Sequence, residues 1–139
     1  MSNKFAAFMA DCSMNFEESE VVVSKRFSSG GKPVPFKIHP ITQDENEGIV
    51  KECTRAYFDP NTHQRVQQLD DSLYSATLIA HCVSFPDLND AELQDSYKAV
   101  GAADLARKML LPGEFKNLVN AITSVCGFNA GEDLENAKN

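Results

Sequence analysis

An uncharged stretch near the middle of the chain predicts its central element. Between Asp71 and Asp87 the sequence contains no Asp, Glu, Lys or Arg, although charged residues occur on both sides of it. Its apolar residues surround a helix axis instead of forming one stripe, so a helix here must be enclosed on most sides. Because a bilayer-spanning helix needs roughly 20 apolar residues, we expect the enclosure to be protein. We predict a central buried helix at about residues 72–85, capped by Asp71 or Ser72 and stopped by Pro86.

Upstream of this helix, the apolar positions predict a β-hairpin at residues 20–38, which we call the basic hairpin. Residues 20–27 are rich in β-branched side chains, and Val34, Phe36 and Ile38 then recur at the period of a half-buried strand. The glycines and proline between these two segments are typical of a turn. Because a lone hairpin is marginal in water, we expect helices to cover its apolar face or another chain to extend it.

Charge distinguishes this hairpin from the rest of an acidic chain, whose formal net charge is −7. Its basic residues are Lys25, Arg26, Lys32 and Lys37, against Glu20 alone. Lysines on an exposed strand can prevent edge-to-edge pairing of sheets, or they can form a site for a partner, and both interpretations are open. The overall acidic charge argues against a nucleic-acid surface, which requires clustered Lys and Arg.

Helical spacing of apolar residues predicts further helices on both sides of the central one. A capping box at Thr42–Glu45 starts a helix that we predict to reach Tyr57, followed by a polar loop with a brief extended piece near Val66. Downstream, helices are predicted from Asn89 to Gly101, from Ala102 to Leu111, and from Glu114 to Gly127. The predicted fold class is α+β, with an N-terminal β-hairpin packed on a bundle of about four to five helices around the central buried helix.

The first residues predict a short amphipathic helix. Phe5, Phe8 and Met9 lie at the spacing i, i+3 and i+4, which gives a small apolar face. Such a helix is too short to be stable alone, so we expect it to dock on its own domain, the alternative being that a partner binds it. The predicted domain organisation is an N-terminal amphipathic segment and linker at 1–19, a single globular domain at 20–128 and a polar tail at 129–139.

The cysteines indicate a reducing compartment. Cys12, Cys53, Cys82 and Cys126 are widely spaced, and all but one of them lie inside apolar helical patterns. The start of the chain lacks the apolar core of a secretory leader. We therefore expect reduced thiols in a cytoplasmic protein.

No catalytic or metal-binding pattern stands out in the sequence. His39, His63 and His81 are scattered, and no His-x₃-His or Cys-x₂-Cys spacing occurs. His81 and Cys82 are the adjacent pair that could supply a thiolate nucleophile, but neighbours on a helix point about 100° apart. We interpret His81 as a core or boundary histidine, and we expect neither enzymatic activity nor a cofactor.

Three stretches of the chain resemble a known family, the XkdN-like tail assembly chaperones of contractile-tailed phages and defective prophages of Gram-positive bacteria. The stretches are residues 36–47, 85–97 and 109–115, and the resemblance extends over about residues 21–128. The most specific pieces are residues 86–97 and the string Leu-Leu-Pro-Gly-Glu-Phe at 110–115.

The resemblance implies a non-enzymatic cytoplasmic protein that binds the tape measure protein of the tail and keeps it soluble. It further implies displacement as the major tail tube protein assembles, absence from the mature virion, and association of several copies. Many such chaperones also exist as a frameshift-extended product, and Ala137-Lys138-Asn139 is compatible with a slippery codon run. The alternative is a structural tail or adaptor protein that is retained in the virion.

The candidate partner-binding residues combine the two surface features described above. They are Phe5, Phe8, Met9, Lys25, Arg26, Lys32 and Lys37.

Overall fold

The computed structural model describes residues 4–14 and 16–127. A 3₁₀ turn covers Ala6–Phe8, and the helices are α1 (Ala10–Ser13), α2 (Gln43–Cys53), α3 (Asp71–Cys82), α4 (Ala91–Ser96), α5 (Ala102–Met109) and α6 (Pro112–Val125). The strands are β1 (Ser19–Val21), β2 (Ser28–Ser29), β3 (Lys32–Pro33), β4 (Phe36–Ile38), β5 (Thr54–Asp59), β6 (Gln64–Leu69) and β7 (Val83–Phe85). The mixed α+β class is confirmed. The predicted tail at 129–139 lies outside the described residues.

The uncharged central stretch forms α3, which packs against α2, α5, α6 and β7. Its side chains from Ala76 to Ile79 and that of Cys82 are buried, in agreement with the prediction of a buried helix. Two details of that prediction are wrong. The N-cap is Asp70, whose carboxylate accepts a hydrogen bond from the Leu73 N–H at 3.1 Å. The helix also ends at Cys82, because the last three predicted residues form β7 and pair with β4.

The two ends of the basic hairpin pair through β1 and β4 and are part of a larger sheet, but residues 22–27 of its predicted first strand are not in a strand. Within the described residues, this sheet has the strand order β1-β4-β7, and Val21 pairs with Phe36. The predicted alternation along β4 is confirmed, because Phe36 and Ile38 are buried whereas Lys37 is exposed. Gly30 and Gly31 have φ values of 60° and 80°, and this left-handed turn joins the short strands β2 and β3.

The segment after α2 is where the prediction fails. The capping box of α2 is confirmed, since Thr42 Oγ1 accepts from the Glu45 N–H at 3.2 Å, but the helix ends at Cys53 and does not reach Tyr57. Residues 54–69, predicted as a helix end and a polar loop, instead form a hairpin in which β5 and β6 pair along their whole length. We call it the aromatic hairpin. Its strands contain Thr54, Tyr57, Phe58 and Val66, which favour strands, and strand pairing prevails there over a helical spacing that arose by coincidence.

The helices that follow complete the core. The N-cap of α4 is Asp90, one residue after the predicted helix start at Asn89, and its carboxylate accepts from the Glu92 N–H at 2.9 Å. Gly101 and Gly127 have φ values of 92° and 95° and lie outside the helices, as predicted. However, α4 ends at Ser96, so the prediction of one helix from Asn89 to Gly101 is wrong, and Gly101 is instead the N-cap of α5. The fully buried residues of α5 and α6 contact those of α3 and β4 in one hydrophobic cluster, and they include Leu105, Leu118 and Ile122.

Candidate partner-binding surfaces

The N-terminal segment (residues 4–14) exposes its apolar side chains. The exposed fractions are 58% for Phe5, 77% for Phe8 and 50% for Met9, and none of the residues 4–14 is buried. The expectation that this segment docks on its own domain is therefore wrong. The 3₁₀ turn and α1 together are too short to cover these side chains, so they remain available for another protein.

Arg26, one of the predicted contact residues, is engaged within the chain. Its Nε donates to Glu114 Oε2 at 3.0 Å, while its Nη2 donates to Oε1 of the same carboxylate and to the Met109 carbonyl at 3.1 Å. The guanidinium also lies 4.8 Å from the centre of the Phe27 ring. Arg26 thus ties the basic hairpin to the start of α6, and its role is structural.

Glu114 is held in its ionised form by this arrangement. Its hydrogen bond with Arg26 is the main cause, followed by those from the Ser24 hydroxyl and the Leu111 N–H, and together they lower its pKa to about 2. The Leu111 N–H lies 2.9 Å from Glu114 Oε1, so the carboxylate also satisfies a free amide at the start of α6. One carboxylate therefore stabilises both a helix start and a contact between distant segments.

The remaining basic candidates, Lys25, Lys32 and Lys37, are exposed. None of them forms an ion pair with a described residue. Lys37 lies directly opposite Phe85 on one side and Glu20 on the other side of β4. These lysines are accessible to a partner, whereas the guanidinium of Arg26, although partly exposed, is already bound to Glu114.

Sequence reasoning missed an apolar groove beside the basic hairpin, which holds about 180 Å³. Among its lining residues, Phe85 is 48% exposed, and the ring centres of Phe27 and Phe36 lie 5.5 Å apart. The groove is lined by Phe27, Val34, Pro35, Phe36, Phe85, Pro86 and Met109. Since these residues come from three separate parts of the chain, no local sequence pattern reveals the groove.

The aromatic hairpin is a second surface that sequence reasoning missed. Tyr57 and Phe58 are 47% and 59% exposed, and as neighbours in a strand they project from opposite faces of the hairpin. Tyr57 is paired with Val66 and Phe58 with Arg65. At the base, the Asp70 N–H donates to the Cys53 carbonyl at 2.9 Å. Two strand-like segments of equal length around Asp59-Pro60-Asn61 were the signal that could have identified it.

His81 and Cys82 do not form a nucleophilic pair. His81 is exposed, so its interpretation as a core or boundary residue is wrong, whereas Cys82 is fully buried. The pKa of the Cys82 thiol is raised to about 12, mainly because the side chain is buried. The thiol is therefore protonated at neutral pH. All four cysteines are free thiols, as expected.

One cavity among the described residues lacks acidic and basic side chains, whereas an open pocket of about 370 Å³ beside α3 has Glu52, His81 and Asp104 among its lining residues. A cavity of about 180 Å³ between α2, α3 and α6 is lined by Asn46, Tyr74 and Cys126 among others, and no Asp, Glu, Lys, Arg or His is among its lining residues. In the part of the chain that the structure describes, no cluster of His, Cys, Asp and Glu could hold a metal ion. Within the same residues, no helix has the length and apolar composition needed to cross a membrane.

Comparisons with known proteins place the chain in a family. No curated protein matches the chain. The crystal structure of the protein YqbN is similar to it, with 27% sequence identity and a TM-score of 0.74 over 93% of this chain and 100% of that chain. The family profile described as phage XkdN-like tail assembly chaperone protein matches residues 5–138, which include both hairpins, the groove and all but the first residue of the N-terminal segment. The resemblance noted in the sequence is thereby confirmed, and the chain belongs to the phage XkdN-like tail assembly chaperone family.

Proposed function

We propose that this tail assembly chaperone binds the tape measure protein, keeps it soluble, and is displaced as subunits of the tail tube assemble. The observation that carries the proposal is the aromatic hairpin, which exposes Tyr57 and Phe58 on its two faces. Exposed aromatic residues on a projecting element are typical of protein-binding surfaces, since Tyr and Phe bury large areas at low cost in side-chain entropy. We assign the contact with the tape measure protein to this hairpin.

The chemistry of such a partner fits the surface. A tape measure protein is long, helical and apolar, and an uncovered apolar helix associates with its own kind. An acidic protein with a formal net charge of −7 that covers such a helix would keep it soluble by charge repulsion. A single two-stranded hairpin offers a small contact, so each copy binds weakly and several copies together bind strongly. Weak individual contacts allow the tube subunits to replace the chaperone one copy at a time.

This function requires no catalysis, and the state of the candidate nucleophile supports a non-enzymatic role. The Cys82 thiol is buried and protonated.

We place the protein in the host cytoplasm during assembly and outside the finished particle. Mass spectrometry of purified particles checks this placement, because a retained adaptor would be detected there in stoichiometric amount. The nucleotide sequence at the end of the gene checks the frameshift-extended product.

The binding experiment uses co-expression of the tape measure protein with three forms of the chaperone. They are the unaltered chain, the double variant Tyr57→Ser/Phe58→Ser, and the control Val100→Ser, which removes an apolar side chain that is 87% exposed elsewhere. We expect the unaltered chain and the control to keep the tape measure protein soluble and to co-purify with it. The double variant should lose at least about tenfold in affinity while its unfolding midpoint is unchanged.

The two parts of the proposal fail separately. If the unaltered chain neither solubilises the tape measure protein nor co-purifies with it, the function is wrong. If the double variant acts as well as the unaltered chain, the function stands and the assignment to the aromatic hairpin is wrong.

A further inference from the structure

We propose that the N-terminal segment of one copy docks in the apolar groove of a second copy, so that the chaperone associates head to tail. This inference concerns contacts between copies and does not depend on the identity of the tape measure protein as partner. It joins the apolar residues of the N-terminal segment, which were predicted as contacts, to the groove near Lys25 and Lys32.

The first argument is apolar complementarity. Phe8 and Met9 are 77% and 50% exposed and come one after the other at the end of the 3₁₀ turn. The groove is lined almost wholly by aromatic, proline and aliphatic side chains, and Phe85 in its wall is 48% exposed. Burying two such side chains in a groove of this kind removes apolar area from water on both partners. The exposed side chains of the segment and the apolar groove would therefore cover each other.

The second argument is the path of the chain. The N-terminal segment leads into β1 at Ser19, which pairs with Ile38, whereas the groove lies toward the other end of β4, at Phe36. The segment therefore approaches β1 from the end that is farther from its own groove. In the described structure Phe8 and Met9 are exposed, and no residue of the segment lines the groove of its own chain. The groove is therefore open to the segment of a neighbouring copy.

The third argument is charge. The segment and its linker carry Asp11, Glu17 and Glu18 against Lys4. On the groove side, Lys25 lies two residues before Phe27, and Lys32 lies two residues before Val34. These two lining residues are joined by a hydrogen bond of 2.7 Å from the Val34 N–H to the Phe27 carbonyl. Both lysines are exposed and form no ion pair with a described residue. The acidic linker of one copy thus meets the basic rim of the next, and this attraction weakens with salt.

The geometry of such an interface determines the kind of assembly. The segment and the groove are different surfaces of one chain, so the contact is heterologous and not self-complementary. Each copy that binds through its segment still offers an open groove. The contact therefore adds copies one after another, into an open chain or until a ring closes, and the number of associated copies grows with concentration.

The test is a complementation experiment between two variants, followed by analytical ultracentrifugation over a range of protein concentrations. The segment variant is Phe8→Ser/Met9→Ser, and the groove variant is Phe85→Ser. All three substituted side chains are exposed, so we expect both variants to fold, and thermal unfolding checks this. Val100→Ser serves as the matched control.

We expect the unaltered chain and the control to form oligomers whose size rises with concentration. Each variant alone should need a concentration at least about tenfold higher to associate. An equimolar mixture of the segment variant and the groove variant should form a one-to-one complex that does not grow further. In this complex the one intact segment occupies the one intact groove, so that no intact pair remains for another copy. A charge variant, Lys32→Glu, should weaken the association of the otherwise unaltered chain without changing its fold.

Three results would overturn the proposal. The unaltered chain could remain monomeric at all concentrations, as it would if the segment filled its own groove. The two variants could associate as strongly as the unaltered chain. The mixture could also fail to form a complex while both variants are folded. None of these measurements involves the tape measure protein, so their outcome is independent of the proposed function.

Discussion

The two hairpins of this molecule share a motif and differ in what their side chains contact. In the basic hairpin, Phe36 and Ile38 are 2% and 0% exposed, and β7 extends the sheet. In the aromatic hairpin, Tyr57 and Phe58 are 47% and 59% exposed, although β5 and β6 pair over six residues each. The aromatic hairpin therefore has the longer run of backbone pairs and the smaller buried apolar surface.

This contrast separates backbone pairing from burial as sources of stability. An isolated two-stranded hairpin is marginal in water because its hydrogen bonds replace those that it makes with water. The basic hairpin gains its stability from apolar side chains in the core and from the anchor between Arg26 and Glu114. The aromatic hairpin keeps its aromatic side chains in solvent, where they contribute little to folding and, in the proposed function, contact the partner.

The largest expected effect is at Phe36. Replacement by alanine in Phe36→Ala removes a buried ring that contacts Phe27, and the cavity left behind lies in the main core. We expect a loss of about 3 to 5 kcal/mol in the free energy of unfolding, measured by urea denaturation. A loss below about 1 kcal/mol would show that the basic hairpin is not part of the cooperative core.

The next effect concerns the turn of the basic hairpin. Gly31 has a φ of 80°, a conformation that side chains with a Cβ rarely adopt, so Gly31→Ala should cost about 1 kcal/mol. Gly113 in the first turn of α6 is the matched control, because its φ is not positive and a Cβ there would meet no atom within 4 Å. Gly113→Ala should be neutral or stabilising. Equal losses in both variants would argue against a left-handed turn at Gly31.

The elements that could be predicted from the sequence are those with local signals. The capping box at Thr42, the glycine breaks at Gly101 and Gly127, and the alternation along β4 depend on residues that are neighbours in sequence. Of the candidate contact residues, the apolar ones of the N-terminal segment and three lysines are exposed. Local patterns of this kind report burial and capping directly.

The features that could not be predicted depend on contacts between distant residues. Arg26 binds Glu114, 88 positions away, and nothing near Arg26 indicates that it is engaged. The strand β7 replaces the last turn of the central helix because β4 provides its hydrogen-bonding partner. The aromatic hairpin was missed since Ala56 and Tyr57 continue the helical spacing of α2, and strand pairing prevailed over it.

The ion pair that anchors the basic hairpin predicts a dependence on pH. The pKa of Glu114 is lowered from its usual 4.5 to about 2, so the folded protein binds this proton less readily than the unfolded chain does. The stabilisation is therefore complete above the usual pKa and is lost as pH falls toward about 2. Glu114→Gln should be less stable than the unaltered chain at neutral pH, and the difference should shrink through this acidic range.

Urea denaturation at several pH values measures this difference. Glu52→Gln is the control, because Glu52 is exposed and forms no ion pair with a described residue. A stability difference for Glu114→Gln that stays constant from neutral to acidic pH would contradict the proposed role of the ionised pair.

The smallest expected effect is at Phe58 in the aromatic hairpin, where replacement by alanine is compared with Phe36→Ala in the basic hairpin. Phe58→Ala removes a ring that is 59% exposed and lies 6.0 Å from the His63 ring, without leaving a cavity in the core. We expect the free energy of unfolding to change by no more than about 0.5 kcal/mol, measured as for Phe36→Ala. A loss as large as that of Phe36→Ala would mean that Phe58 is buried in solution, for example against a second copy. A small loss would mean that the ring makes few stabilising contacts within the folded chain. Its surface is then accessible to a partner.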